Sequence, residues 1–127
     1  MLNMYLAVAV GGAAGSVARY YIGSQALRLL GGAFPWGTLS VNVAGSLLMG
    51  VLAGLFSTTI QLSPELRAML TVGFLGGFTT FSAFSLDVFQ LMQRQQTGMA
   101  AIYAIVSVVF SVAALFAGLA VARRALD

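Results

Sequence analysis

The stretch Gly76-Gly77-Phe78-Thr79-Thr80-Phe81-Ser82-Ala83-Phe84-Ser85 interrupts a hydrophobic run that otherwise reads as a membrane span. Adjacent glycines and adjacent threonines weaken a helix at that depth. Hydrocarbon offers no partner to a freed backbone group, so broken backbone there must face protein, an ion or water. Phe78, Phe81 and Phe84 follow at i, i+3 spacing, interleaved with hydroxyls. A broken span carrying polar groups and aromatic edges suits an ion pathway and is a poor design for a plain anchor.

Composition sets the frame for that segment. Of 127 residues, 60% are hydrophobic and 7% are charged, against roughly 25% charged in soluble domains. Mean hydropathy is +0.97. The chain therefore reads as an all-α integral membrane protein. At roughly 20 residues per span, its length holds four spans with short connections. The first apolar stretch lacks a signal peptide's basic start and cleavage pattern, and is expected to be retained as a span. No cysteine or histidine is present, which excludes disulfides, thiol catalysis and histidine-ligated metals. Six arginines against three acids speak here to topology, not to nucleic acid.

The expected spans are 4–21, 36–56, 64–92 and 99–122, in one transmembrane domain. The third is expected to break between Gly76 and Thr80. A connection is expected from Gly23 to Pro35. A polar loop holds Ser57, Thr58, Thr59, Gln61 and Ser63-Pro64-Glu65. Ser63, Pro64 and Glu65 read as N-cap, N1 proline and first-turn acid. Gly11/Gly15, Gly50/Gly54, Gly73/Gly77 and Ala114/Gly118 are small-residue pairs at four-residue spacing. Such pairs let helices approach closely, within one chain or between chains. Four spans enclose little interior, so an ion path points to an oligomer, in the first instance a dimer.

Four spans place Arg67, Arg123 and Arg124 on one side and Arg19, Arg28 and Arg94 on the other. The positive-inside rule needs an asymmetry to fix orientation; the count is three against three, or three against two if Arg19 lies inside span one, a weak bias that changes little. Insertion in both orientations and an antiparallel dual-topology homodimer are the expectation.

Several polar groups are candidates for chemistry. Asn42, with Thr38 one turn earlier, carries a carboxamide that is costly in the membrane unless partnered. It can donate to a dehydrated anion or tie two helices together. Tyr103, Ser107 and Ser111 fall at i, i+4, i+8 on one stripe, forming a hydroxyl track or back-bonding to their own helix. Phe81 and Phe84 can turn positive ring edges to an anion or fill core. Arg19 can attract anions, cap carbonyls, or snorkel to headgroups. Glu65 and Asp87 fit helix ends or interfaces.

At this point the chain resembles the Fluc (CrcB-type) fluoride channels of bacteria, over essentially its whole length. The resemblance rests on Gly11-Gly12-x-x-Gly15-Ser16-x-x-Arg19-Tyr20, on Gly37-Thr38-Leu39-x-x-Asn42-x-x-Gly45, and on the Tyr103, Ser107, Ser111 stripe. Its most specific motif is Gly73-Phe74-x-Gly76-Gly77-Phe78-Thr79-Thr80-Phe81-Ser82-x-Phe84-Ser85. The resemblance implies an antiparallel homodimer in the cell inner membrane with two fluoride pores. It implies a structural Na+ held by backbone carbonyls at Gly76 and Thr79. It assigns Phe81 and Phe84 to ring edges on the ion path, and Asn42, Tyr103, Ser107 and Ser111 to pore polar groups. Arg19 falls at the vestibule. Ser82 and Thr38 add hydroxyls to the path. Ala83 and Leu115 stand where family members often have Thr, which removes hydroxyls at two points.

The expected function is passive fluoride export that lowers cytoplasmic fluoride, with no enzymatic activity. Its rivals are a proton-coupled small multidrug exporter, which needs an embedded carboxylate and has only Asp87 to offer, and a membrane scaffold, which needs no broken span.

Overall fold

A computed structural model describes residues 2–57 and 60–126; Thr58 and Thr59 of the expected loop lie outside them. Every regular element among the described residues is helical. Helix α1 spans Leu2–Leu30 and α2 spans Trp36–Phe56. A third rod follows in pieces: α3 (Pro64–Ala68), a π-helical turn (Met69–Leu75), α4 (Gly76–Phe78) and α5 (Phe81–Gln93). Helix α6 spans Thr97–Ala125.

The first helix corrects the sequence reading, because it runs on to Leu30 instead of ending near Tyr21. Gly23 does not stop it. Gln25, Ala26, Leu27 and Arg28 are good helix formers, and the Ser24 hydroxyl bonds back to the Tyr20 carbonyl at 2.9 Å. The stop is Gly31, whose φ of 81° is the left-handed C-terminal position that glycine fills without penalty. Its N–H closes the helix on the Leu27 carbonyl at 3.0 Å.

The third rod starts as the sequence signals: the Ser63 hydroxyl accepts the Leu66 N–H at 3.2 Å, with Pro64 in the first turn. Its interruption is narrower than the expected 76–80. Gly76 and Gly77 remain helical, and only Thr79 (φ −92°, ψ 156°) and Thr80 (φ −152°, ψ 121°) are extended. Glycine tolerates helical angles; it is the threonines, whose hydroxyls offer the backbone alternative bonds, that leave the helix.

Three helical stretches are long and apolar enough to cross a membrane: Trp36–Phe56, Pro64–Gln93 and Thr97–Ala125. Helix α1 has the length, at 29 residues, but Arg19, Arg28, Ser16, Ser24 and Gln25 lower its apolarity.

Packing pairs alternate helices. Helix α1 lies parallel to the third rod, and α2 lies parallel to α6. Glycine makes both contacts possible. A Cβ at Gly15 would collide with the Phe74 carbonyl, and one at Gly50 with the Leu115 carbonyl. The small-residue pairs therefore serve packing within the chain. Two modest cores result. Val41, Leu75 and Phe78 form one, and Leu91, Ala100 and Tyr103 the other. Most large apolar side chains face outward, Phe81 at 77% exposure and Tyr20 at 78% among them. A lipid-facing or subunit-facing surface looks like this; a water-facing one does not.

Candidate functional site at the broken helix

The break is held open by four substituted hydrogen bonds. In a continuous helix the Thr80 N–H would bond the Gly76 carbonyl. Instead it donates to Asn42 Oδ1 at 2.8 Å, while Asn42 Nδ2 donates to the Thr80 carbonyl at 3.1 Å. That pairing fixes the carboxamide orientation, because only its oxygen can receive an N–H. The Ala83 N–H, which would bond the Thr79 carbonyl, goes to Thr80 Oγ1 at 3.0 Å and caps α5. Arg19 Nε donates to the Gly77 carbonyl at 2.9 Å. The Leu75 carbonyl receives both the Thr79 N–H and its hydroxyl, each at 2.9 Å. The carbonyls of Gly76 and Thr79 are the two that lose their helical donors to side chains.

Beside the break lies a groove of about 390 Å3. Its walls include Asn42 and Ser46 of α2, Gly76, Thr79 and Thr80 at the break, Phe81 and Phe84 of α5, and Ser107 and Ser111 of α6. Met49, Val108, Val112 and Leu115 make the remainder apolar. Ser107 is only 6% exposed, and its Oγ has no hydrogen-bond partner among the described residues. A hydroxyl in that state carries a desolvation cost that a ligand can offset. The Phe81 and Phe84 rings stand 5.5 Å apart at 45°. Phe84 also leans on Tyr103, at 5.1 Å and 46°. Phe78, the first aromatic of the sequence triplet, is buried in the core and stacks on Phe74.

The remaining sequence candidates lie elsewhere. The Tyr103 O–H donates to Asp87 Oδ2 at 2.9 Å, so in this structure its proton is bonded to a carboxylate. Thr38 and Ser107 lie near the same hydroxyl, Ser107 without a hydrogen bond to it. Thr38 and Arg19 line a separate recess of about 340 Å3, with Tyr20, Val41, Thr80 and Ala83. Ser82 is exposed and pairs with Thr80 Oγ1 at 3.3 Å. Two participants escaped the sequence reading. From sequence Asp87 fits a helix end or an interface and Thr80 only part of the break, whereas Asp87 accepts from Tyr103 and Thr80 supplies both the cap and the two groups that Asn42 clamps. The Asp87 pairing had a signal: it and Tyr103 are 16 residues apart across a tight helical hairpin.

Chemically, the groove is lined by hydroxyls, by two aromatic rings and by the two residues whose carbonyls have lost their helical donors. Among the described residues no cluster of three or more His, Cys, Asp or Glu is present; the oxygens a cation would meet here are hydroxyls, the Asn42 carboxamide and backbone carbonyls.

Comparison with known proteins gives the same site a lineage. Residues 6–119 match the family described as CrcB-like protein, Camphor Resistance (CrcB). A protein of Rhizobium etli named "Fluoride-specific ion channel FluC" is 58% identical over 118 residues, covering 93% of this chain and 94% of its own. One of the same name from Rhodospirillum centenum is 56% identical over 124 residues, 98% of each chain. Another from Agrobacterium fabrum is 52% identical over 124 residues, again 98% of each. The breadth of these matches leaves no part of the helical core outside them, and the chain belongs to the CrcB-like family.

Proposed function

We propose that this chain forms a fluoride channel that lets fluoride leave the cytoplasm passively. The observation that carries the reading is the groove at the break, where a buried, unpartnered Ser107 hydroxyl and Ser111 face the Phe81 and Phe84 rings. Fluoride is small and strongly hydrated, so a pore must replace water with several donors at once. Hydroxyls donate strongly to an anion, and phenyl edges carry partial positive charge. Asn42 has one amide hydrogen beyond the one it gives to Thr80. The relatives' names, which read fluoride-specific ion channel, point to the ion; the groove offers chemistry that suits an anion.

In the proposed assembly, two copies pair antiparallel in the inner membrane. Three features support it. The groove is open on the side where Phe81 stands 77% exposed. With Arg19 engaged at the break, the arginines near span ends number three against two (Arg67, Arg123 and Arg124 against Arg28 and Arg94), a bias too weak to fix one orientation. Helix α1 packs parallel to the first half of the third rod, from α3 through α4, and would serve as a fourth span. Where the two breaks meet, a Na+ would be held by the Gly76 and Thr79 carbonyls. The diverted Thr80 and Ala83 amides make these residues a fit for a hard cation, as at other unwound membrane helices. Bound there, Na+ supplies positive charge that ties the two breaks together. Asn42 and Arg19 keep the break extended, and the apolar wall of Met49, Val112 and Leu115 keeps water from accompanying the anion.

Reversal potentials in planar bilayers test the reading. With unequal fluoride on the two sides, the current should reverse near the fluoride equilibrium potential and ignore a pH gradient. A reversal that follows the proton gradient would instead identify a proton-coupled exporter working through Asp87.

A further inference from the structure

The break exposes a run of carbonyls, yet they do not share one fate. Gly77 gives its oxygen to Arg19 and Thr80 gives its oxygen to Asn42. Gly76 and Thr79 are left without their helical donors. The same division appears in the cavities. Gly76 and Thr79 line the large groove, whereas Arg19 sits in the recess on the α1 side. Gly77 itself is pressed against α1, where an added Cβ would meet the Gly12 carbonyl at 2.6 Å and Ser16 Oγ at 3.1 Å.

We infer that Arg19 is a positioning residue for the cation seat at the break. Its guanidinium holds the Gly77 carbonyl toward α1, and the neighbouring Gly76 and Thr79 carbonyls become the pair that coordinates Na+. This rests on the channel reading with its central Na+ and assigns Arg19 a task other than anion attraction. The physical basis is simple. A carbonyl engaged by a cationic donor makes a short, charge-assisted bond and is a poor ligand for a second cation. Only two soft dihedrals separate consecutive peptide planes, so fixing the Gly77 oxygen limits where the adjoining Gly76 oxygen points, and Thr79 follows one residue further along, across Phe78. Arginine suits the task because it stays charged and its planar fork loses little entropy on bonding. Without it, Gly77 could compete as a ligand, and the seat would lose its geometry.

The test is a Na+ titration of thermal stability on the purified dimer, with N-methylglucamine chloride holding ionic strength constant. Wild type should gain stability with Na+ and define a half-stabilising concentration. Arg19→Ala should raise that concentration by about tenfold, the order expected for loss of one charge-assisted hydrogen bond. Arg19→Lys should fall between the two, and serves if Arg19→Ala does not fold. Arg94→Ala is the control. It removes a comparable bond, Arg94 Nη1 to the Gly32 carbonyl at 3.1 Å, far from the break, and should leave the Na+ midpoint unchanged. If the Arg19 variants lose stability or fluoride flux at an unaltered Na+ midpoint, the residue is a structural or vestibule group and the inference is overturned. A wild-type protein indifferent to Na+ would overturn the cation seat itself, a failure readily told apart from the first.

Discussion

At the scale of single residues, two groove side chains have opposite expected signatures. Ser107 Oγ is buried without a partner, so Ser107→Ala should leave stability unchanged or raise it by up to ~1 kcal/mol. The same change should slow fluoride flux, because it deletes a donor. A thermal melt beside a flux assay checks both, and a substantial loss of stability would contradict the assignment. Asn42 has the reverse balance. Asn42→Ala strands the Thr80 N–H, at a cost of about 1–3 kcal/mol, and leaves the Thr80 carbonyl with only its bond inside α5. The variant should melt well below wild type as well as conduct poorly. Unchanged melting would mean that the clamp is dispensable. Asn42 thus resolves the choice its sequence left open: the carboxamide ties α2 to the third rod, with one hydrogen remaining for the groove. Spacing alone could not decide this, since an interhelical partner 38 positions away leaves no local trace.

At the scale of elements, the π-helical turn of the third rod explains a mismatch between neighbours. On α1, Gly11 and Gly15 are four residues apart; the carbonyls they meet, Met69 and Phe74, are five apart. An i→i+5 turn stacks residues five apart on one face, and so absorbs the extra residue. Deleting Val72, which lies in this turn and is 66% exposed, should let it relax to α-helix with its flanks in place. Inserting an alanine at the same point should rotate the break by roughly 100° and dismantle the Asn42–Thr80 and Arg19–Gly77 bonds. Folding and flux assays should therefore tolerate the deletion better than the insertion; equal tolerance would contradict the register argument. Glycine substitutions give a companion test. Gly50→Ala meets the Leu115 carbonyl and should destabilise, whereas Gly98→Ala meets nothing within 4 Å and should be neutral or stabilising by up to ~1 kcal/mol. Much of this level was legible beforehand. The Ser63-Pro64-Glu65 start, the break and the glycine pairs all carry local signals. The overlong α1 was not legible, because Gly23 looks like a terminator until its helix-forming successors are weighed. The π turn was not legible either, because it arises from register with α1 and leaves no composition mark in Met69–Leu75.

At the scale of the molecule, the outward-facing apolar surface and the open groove make one copy incomplete as a channel. The Phe81 ring, 77% exposed, is expected to become buried in a dimer. A cysteine placed at position 81 should be accessible in dissociated subunits and protected in the assembly, and labelling from both membrane sides should find the termini on each. Exclusive labelling from one side would contradict dual topology while leaving the groove chemistry intact. The sequence conveyed the membrane class and the polar stripe well, since both are periodic. It conveyed poorly which stripe members share a cavity. Tyr103 is in phase with Ser107 and Ser111 yet turns its proton to Asp87.

The central claim is that this fold opens a path for fluoride. Its most direct test is fluoride efflux from proteoliposomes loaded with potassium fluoride, triggered by valinomycin, beside a chloride-loaded control. The account predicts rapid fluoride release with no matching chloride release. Retention of fluoride by a verified dimer in the presence of Na+ would contradict it.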